Sequence, residues 1–238
     1  MATARRSVFL CATQRTGSWL LAHLMASSGT AGRPAEFFDA GEMRGFREEW
    51  RVASDREYVN RVLELGTTPN GVFATKLMWN AIDGLLFRRR RLVRAYESSD
   101  LEVIESVFPS PRFIWLRRED VVAQAVSWAK ASQTEQYAAH QTAVRDPTFD
   151  FEHIDGLMHL AKVQNGAWQR WFAAHEITPV QVTYEELCED EVRTTLRVLR
   201  DLDLDADGAS IAAPLGLERQ ADSVNAEWIR RYRAEAAL

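Results

Sequence analysis

Residues Ser7–Leu21 read SVFLCATQRTGSWLL. An apolar, partly β-branched run, Ser7–Ala12, is followed by a polar turn, Thr13-Gln14-Arg15-Thr16-Gly17-Ser18. Trp19, Leu20, His23, Leu24 and Ser27 then recur at helical spacing, which predicts a strand, a tight loop and a helix. That arrangement points backbone N–H groups and the positive end of a helix at an anion. Gly17 permits close backbone approach, Ser18 can cap the helix or bond an oxyanion, and Arg15 adds a fixed cationic fork. The expectation is a cradle for a phosphate-like group at the end of a first strand; the competing reading is an ordinary strand-to-helix turn that needs no ligand. A nucleoside triphosphatase loop, G-x-x-x-x-G-K-[ST], is excluded at two positions. Ser18 stands where the lysine is required, and no glycine lies five residues before Gly17.

The chain has 238 residues, 46% of them hydrophobic and 26% charged, the composition of a globular enzyme with a substantial core. No linker or repeat divides it, so a single domain over residues 1–238 is expected. The net charge of −5 argues against bulk binding of nucleic acid or an anionic membrane, so an anion site must be a local concentration of arginine and lysine. Cys11 and Cys188 make no disulfide framework. The apolar run after Arg5-Arg6 is too short for a signal peptide, and no stretch approaches the ~18 apolar residues of a span; a cytoplasmic location is expected.

Further along, Gly29–Asp39 reads as a loop returning over the sheet and carries Glu36 beside Phe37-Phe38, a candidate base. Ala40–Trp50 is charged and weakly patterned. A helix is expected over Arg56–Leu65, a second strand over Val72–Leu77 with Lys76 near its end, where ligands sit in open α/β sheets, and a helix over Ile82–Tyr96. Its Arg88–Arg91 run suggests nucleic acid or lipid headgroups, but in an acidic chain a solvated face is the commoner explanation, and its role is left open. Arg112–Leu116 reads as a buried strand. It ends in Arg117-Arg118-Glu119-Asp120 before a helix, Val121–Ala131, a second anion site of the same logic as the first. Thr134–Thr148 is polar and flap-like. A helix over Phe151–His175, a strand Pro179–Thr183, a helix Glu191–Leu202 and a tail helix with Trp228 and Tyr232 complete the chain. The five histidines show no metal spacing; no G-x-S-x-G elbow and no dinucleotide fingerprint is present.

In this order the pieces resemble the sulfotransferase superfamily, and most closely the bacterial trehalose 2-sulfotransferase family. The resemblance is carried by Thr13–Ser18, Pro34-Ala35-Glu36-Phe37-Phe38, Gly71–Asn80 and Arg118–Ser127, with Tyr184-Glu185-Glu186-Leu187 and Leu217–Asp222. It implies an α/β three-layer sandwich around a mainly parallel sheet, with a P-loop-like strand-loop-helix. It also implies a donor, 3′-phosphoadenosine 5′-phosphosulfate (PAPS), no metal, a small hydroxylated acceptor and a possible homodimer. On that resemblance Gln14, Arg15, Thr16, Gly17, Ser18 and Trp19 hold the 5′-phosphosulfate. Arg118 and Ser127 hold the 3′-phosphate, Tyr184 packs on the nucleotide, and Arg219 lies in a closing C-terminal segment. Glu36 falls on the general base, and Arg15 and Lys76 complete the expected catalytic set. Many sulfotransferases carry a lysine in the first loop and a histidine base; Arg15 and Glu36 stand there instead. The segment after Phe38 differs from that family, so the acceptor, a sugar or another alcohol, is left open. Two rival functions share the architecture: a nucleotide-dependent kinase and a non-catalytic nucleotide-binding protein.

Overall fold

A computed structural model describes residues 3–94, 96–136, 144–212 and 223–237. Four strands form one parallel sheet in the order β2-β1-β3-β4: β1 Arg6–Ala12, β2 Val72–Met78, β3 Pro111–Arg117 and β4 Val180–Thr183. Strand β1 pairs with β2 on one side and β3 on the other, so the chain reverses its direction of travel across the sheet at β1. Such a reversal opens a crevice beyond the carboxyl ends of the strands. Register brings those ends level: Ala12 stands opposite both Met78 and Leu116, and Arg117 opposite Thr183.

Strand periodicity builds two cores. Phe9, Cys11, Phe73, Leu77 and Phe113 face a layer with Tyr58 and Val62 of α3 (Asp55–Gly66), Ile82 and Leu85 of α4 (Trp79–Val93) and Trp168 and Phe172 of α7 (Phe151–Ala174). Val8, Leu10, Ala12, Val72, Ala74, Ile114 and Val182 face Leu21, Leu24 and Met25 of α1 (Ser18–Ser27), Leu187 of α8 (Tyr184–Glu189) and Val198 of α9 (Glu191–Asp201). The result is the expected α/β sandwich. A third cluster lies off the sheet, where Val126 and Ala129 of α6 (Val121–Thr134), Ile154 of α7 and Trp228 and Tyr232 of α10 (Ser223–Glu235) pack together. No helix among the described residues is long and apolar enough to cross a membrane.

Three local readings change. Ala40–Trp50 is a helix, α2, capped by the Asp39 carboxylate; its apolar residues are Met43, Phe46 and Trp50, and Phe46 stacks on Trp50 at 4.6 Å. A short helix, α5 (Asp100–Glu105), was not expected; Ser99 and Glu102 close its capping box. The arginine run is only in part a solvated face, with Arg91 exposed. Arg89 is fully buried, Arg90 pairs with Asp100 at 2.5 Å and donates to Ser98 O at 2.8 Å, and Arg91 lies over Phe87.

Candidate active site

The first loop leaves β1 through two residues in the left-handed region, Arg15 (φ 64°) and Gly17 (φ 82°), with Thr16 Oγ1 donating to Thr13 O at 2.8 Å. Gly17, not Ser18, is the N-cap of α1, and no side chain caps the helix. Its first intrahelical bond runs from Leu21 N–H to Gly17 O. The N–H groups of Ser18, Trp19 and Leu20 therefore have no partner within the helix and add their dipole to the Arg15 side chain. Helices α2, α3 and α5 to α9 each have a capping side chain. The phase of α1 differs from the sequence reading: Leu21, Leu24 and Met25 are buried, whereas Trp19 is 45% exposed and stacks on His23.

Helix α6 is bolted to this loop. Arg15 Nε donates to Ser127 Oγ at 3.0 Å, and Gln124 Nε2 donates to Thr13 Oγ1 at 2.9 Å and Gln14 O at 2.7 Å. Gln14 Nε2 reaches Asn80 Oδ1 at 3.2 Å in the first turn of α4, and Trp168 Nε1 donates to Ala12 O at 3.0 Å. The Cys11 thiol lies beneath the loop, fully buried, and burial pushes its pKa well above the ordinary value, which keeps it inert.

On the β3–β4 side the guanidinium of Arg118 lies over the Tyr184 ring, 4.3 Å from its centroid. Both residues directly follow the paired Arg117 and Thr183. The same ring covers Gly17, where an added Cβ would meet Tyr184 Cδ2 at 2.8 Å. Arg118 Nε is buried without a hydrogen-bond partner among the described residues. Arg15, Ser127, Gly17, Tyr184 and Arg118 thus form one continuous cluster.

The second anion site differs from its expected form. The N-terminus of α6 is already occupied by carboxylates: Asp120 Oδ1 accepts from Ala123 N–H at 3.0 Å, and Glu185 accepts from the N–H groups of Glu119 and Asp120. Arg117 turns to Trp115 and Glu119. What is left for a ligand on this side is side-chain chemistry, Arg118 and Ser127, and not the helix end.

Opposite α6, residues 32–36 run along the edge of β2. Arg33 N–H bonds Gly66 O, and Ala35 O accepts from Lys76 N–H at 2.9 Å and Thr75 Oγ1 at 3.1 Å. Phe37 and Phe38 then enter the core on the far face. Glu36, between these anchors, meets Lys76 Nζ at 2.6 Å, with the lysine side chain 9% exposed and the glutamate 31%. Arg219 lies outside the described residues, as do residues 137–143 of the flap-like stretch and the Leu217–Asp222 segment. Sequence reasoning missed Gln124 and Glu185 as organisers; Gln124 sits three residues before Ser127 on α6, the helical spacing that was the available signal.

The Stf0 sulphotransferase family model matches residues 7–235. The chain belongs to this family. Among curated relatives of the Stf0 chain, the trehalose 2-sulfotransferase of Mycobacterium tuberculosis (strain ATCC 35801 / TMC 107 / Erdman) is 32% identical over 264 residues, covering 99% of this chain and 97% of the relative. The enzyme of the same name from Mycolicibacterium smegmatis (strain ATCC 700084 / mc(2)155) is 32% identical over 253 residues, covering 94% and 93%. Among solved structures, the sulfotransferase domain of the curacin biosynthetic pathway aligns over 99% of both chains at 12% identity and a TM-score of 0.49. By the family model and the two mycobacterial relatives, the protein is a sulfotransferase.

Proposed function

We propose that this sulfotransferase moves the sulfuryl group of PAPS to a hydroxyl of a small sugar or glycosylated metabolite, with Glu36 as general base. The observation that carries the reading is the continuity of the cationic cluster. Arg15 and the uncapped end of α1 suit a 5′-phosphosulfate. Arg118, with its unpartnered Nε, and Ser127 suit a 3′-phosphate, and Tyr184 offers its ring beside both. Two anionic groups on one nucleotide match two linked subsites. A metal has no part in this reading. The mycobacterial relatives are named for trehalose, which supports a sugar-like acceptor. A homodimer and a cytoplasmic location belong to the same reading.

Transfer to a hydroxyl is an in-line displacement in which positioning and charge stabilisation dominate. The acceptor oxygen attacks sulfur while its proton passes to Glu36. The bridging S–O bond breaks with its electron pair remaining on the 5′-phosphate. Arg15, the N–H groups at the start of α1 and Lys76 meet that growing charge. One preorganised donor of this kind is worth ~3–4 kcal/mol, and the base contributes about 10²–10⁴-fold.

The test is a turnover assay with ³⁵S-labelled PAPS and a panel of trehalose, other sugars and phenols, run beside thermal shifts with adenosine 3′,5′-bisphosphate and with ATP–Mg²⁺. Labelled sugar product and a shift with the bisphosphate alone are expected. A shift with ATP–Mg²⁺ alone would assign the site to a kinase, and bisphosphate binding without labelled product from any acceptor would leave a nucleotide-binding protein.

A further inference from the structure

The Lys76–Glu36 pair stands where two separate charges must be handled in one event. Along β2, Val72, Ala74 and Met78 pack with Leu21 and Leu24 of α1, whereas Phe73 and Leu77 pack on the opposite face. Lys76 has the parity of the first set, so its stem rises on the α1 side of the sheet. Its register partner is Leu10, two residues before the end of β1, and the anion-facing end of α1 begins just beyond. The Lys76 backbone holds Ala35 O while its Nζ holds the Glu36 carboxylate. One residue therefore holds both the backbone just before the base and the carboxylate itself.

Resting on the proposed function, we propose that Lys76 is shared between Glu36 and the donor's 5′-phosphate. Before transfer its ammonium holds the carboxylate in place. As the acceptor oxygen bonds to sulfur, the acceptor proton goes to Glu36 and erases one negative charge there. The electron pair of the breaking S–O bond adds one negative charge to the 5′-phosphate. The ammonium exchanges the first for the second, so the buried lysine is never left without a counter-charge, which is the costly state. Glu36 later releases its proton to water. Glu36 and a 5′-phosphate thus compete for Lys76, and this competition can be read without any acceptor.

The experiment is calorimetric titration of the full chain with adenosine 3′,5′-bisphosphate. Glu36→Gln removes the competitor and should tighten binding about three- to tenfold, while Lys76→Met should weaken it about tenfold, the scale of one charged contact. Glu36→Gln added to Lys76→Met should change nothing further, and added to Lys76→Arg should again tighten binding. Thermal melts confirm that each variant folds, with Lys76→Gln replacing Lys76→Met if the latter does not. An unchanged affinity in Glu36→Gln, or equal tightening with and without Lys76, overturns the sharing while leaving the donor assignment standing. A wild-type chain that does not bind the bisphosphate overturns both.

Discussion

Arg15 Nε donates to Ser127 Oγ at 3.0 Å, joining residues 112 positions apart in the chain. The bond ties the loop after β1 to the middle of α6, and Gln124 adds two more from the preceding turn. Arg118 reaches the same loop through Tyr184 and Gly17. The site is thereby assembled from both sides of the β1–β3 crevice, and a ligand spanning it would feel the two sides differently.

Arg118→Ala should separate them. Its guanidinium is oriented by the Tyr184 ring and has a spare donor. Loss of one charged contact should weaken adenosine 3′,5′-bisphosphate about ten- to hundredfold and adenosine 5′-monophosphate far less. Equal losses for the two nucleotides in calorimetric titrations would contradict the 3′-phosphate assignment.

Glu36→Gln keeps the shape of the side chain and its backbone anchors at Ala35 and Phe37 but cannot accept the acceptor proton. Turnover with labelled PAPS should fall about 10²–10⁴-fold, while binding of the donor product should tighten rather than weaken. Wild-type turnover in this variant would remove Glu36 from the chemistry.

The strands and the first loop were legible because their signals are local: short apolar runs bounded by turn residues, and a period that changes at Gly17. The helix facing was less so. Trp19 is large and aromatic, yet it is 45% exposed, and it is Leu21 and Leu24 that α1 buries. Helix α2 was hidden by Gly41 and Gly45 and by a sparse apolar side; tertiary stacking of Phe37, Phe46, Trp50 and Tyr58 supplies what the pattern lacks. The filling of the α6 N-terminus by Glu185 depends on a residue 65 positions from Asp120, which no local reading reveals.

Gly17→Ala should show how tightly the cradle is built. The new residue would sit at φ 82° with its Cβ 2.8 Å from Tyr184 Cδ2. The left-handed backbone alone costs about 1–2 kcal/mol, and the ring must also move. Thermal stability and bisphosphate affinity should both fall. Adding Tyr184→Ala should remove the steric part and leave the backbone part, so the double variant should recover some stability but not affinity. Full recovery of both would mean that the ring contributes nothing to nucleotide binding.

Arg89 should be a liability of the fold. It is fully buried, and its three guanidinium nitrogens have no hydrogen-bond partner among the described residues. Burial, opposed by the nearby charge of Asp55, pulls its pKa down from the ordinary arginine value to about 10. The folded state therefore binds this proton more weakly than the unfolded chain. Below about pH 10 both states are charged and the fold carries the whole penalty, roughly 3 kcal/mol on the linkage relation. As pH rises past about 10 the folded state loses its proton before the unfolded chain does, and the penalty is relieved. Arg89→Met keeps an unbranched apolar stem and removes the charge, so at pH 7 it should raise stability by about 1–3 kcal/mol, the range found when buried ions are replaced by apolar side chains. The gap between variant and wild type in denaturant melts should narrow above about pH 10. A variant less stable than wild type at pH 7 would mean that the guanidinium has a partner that stabilises it.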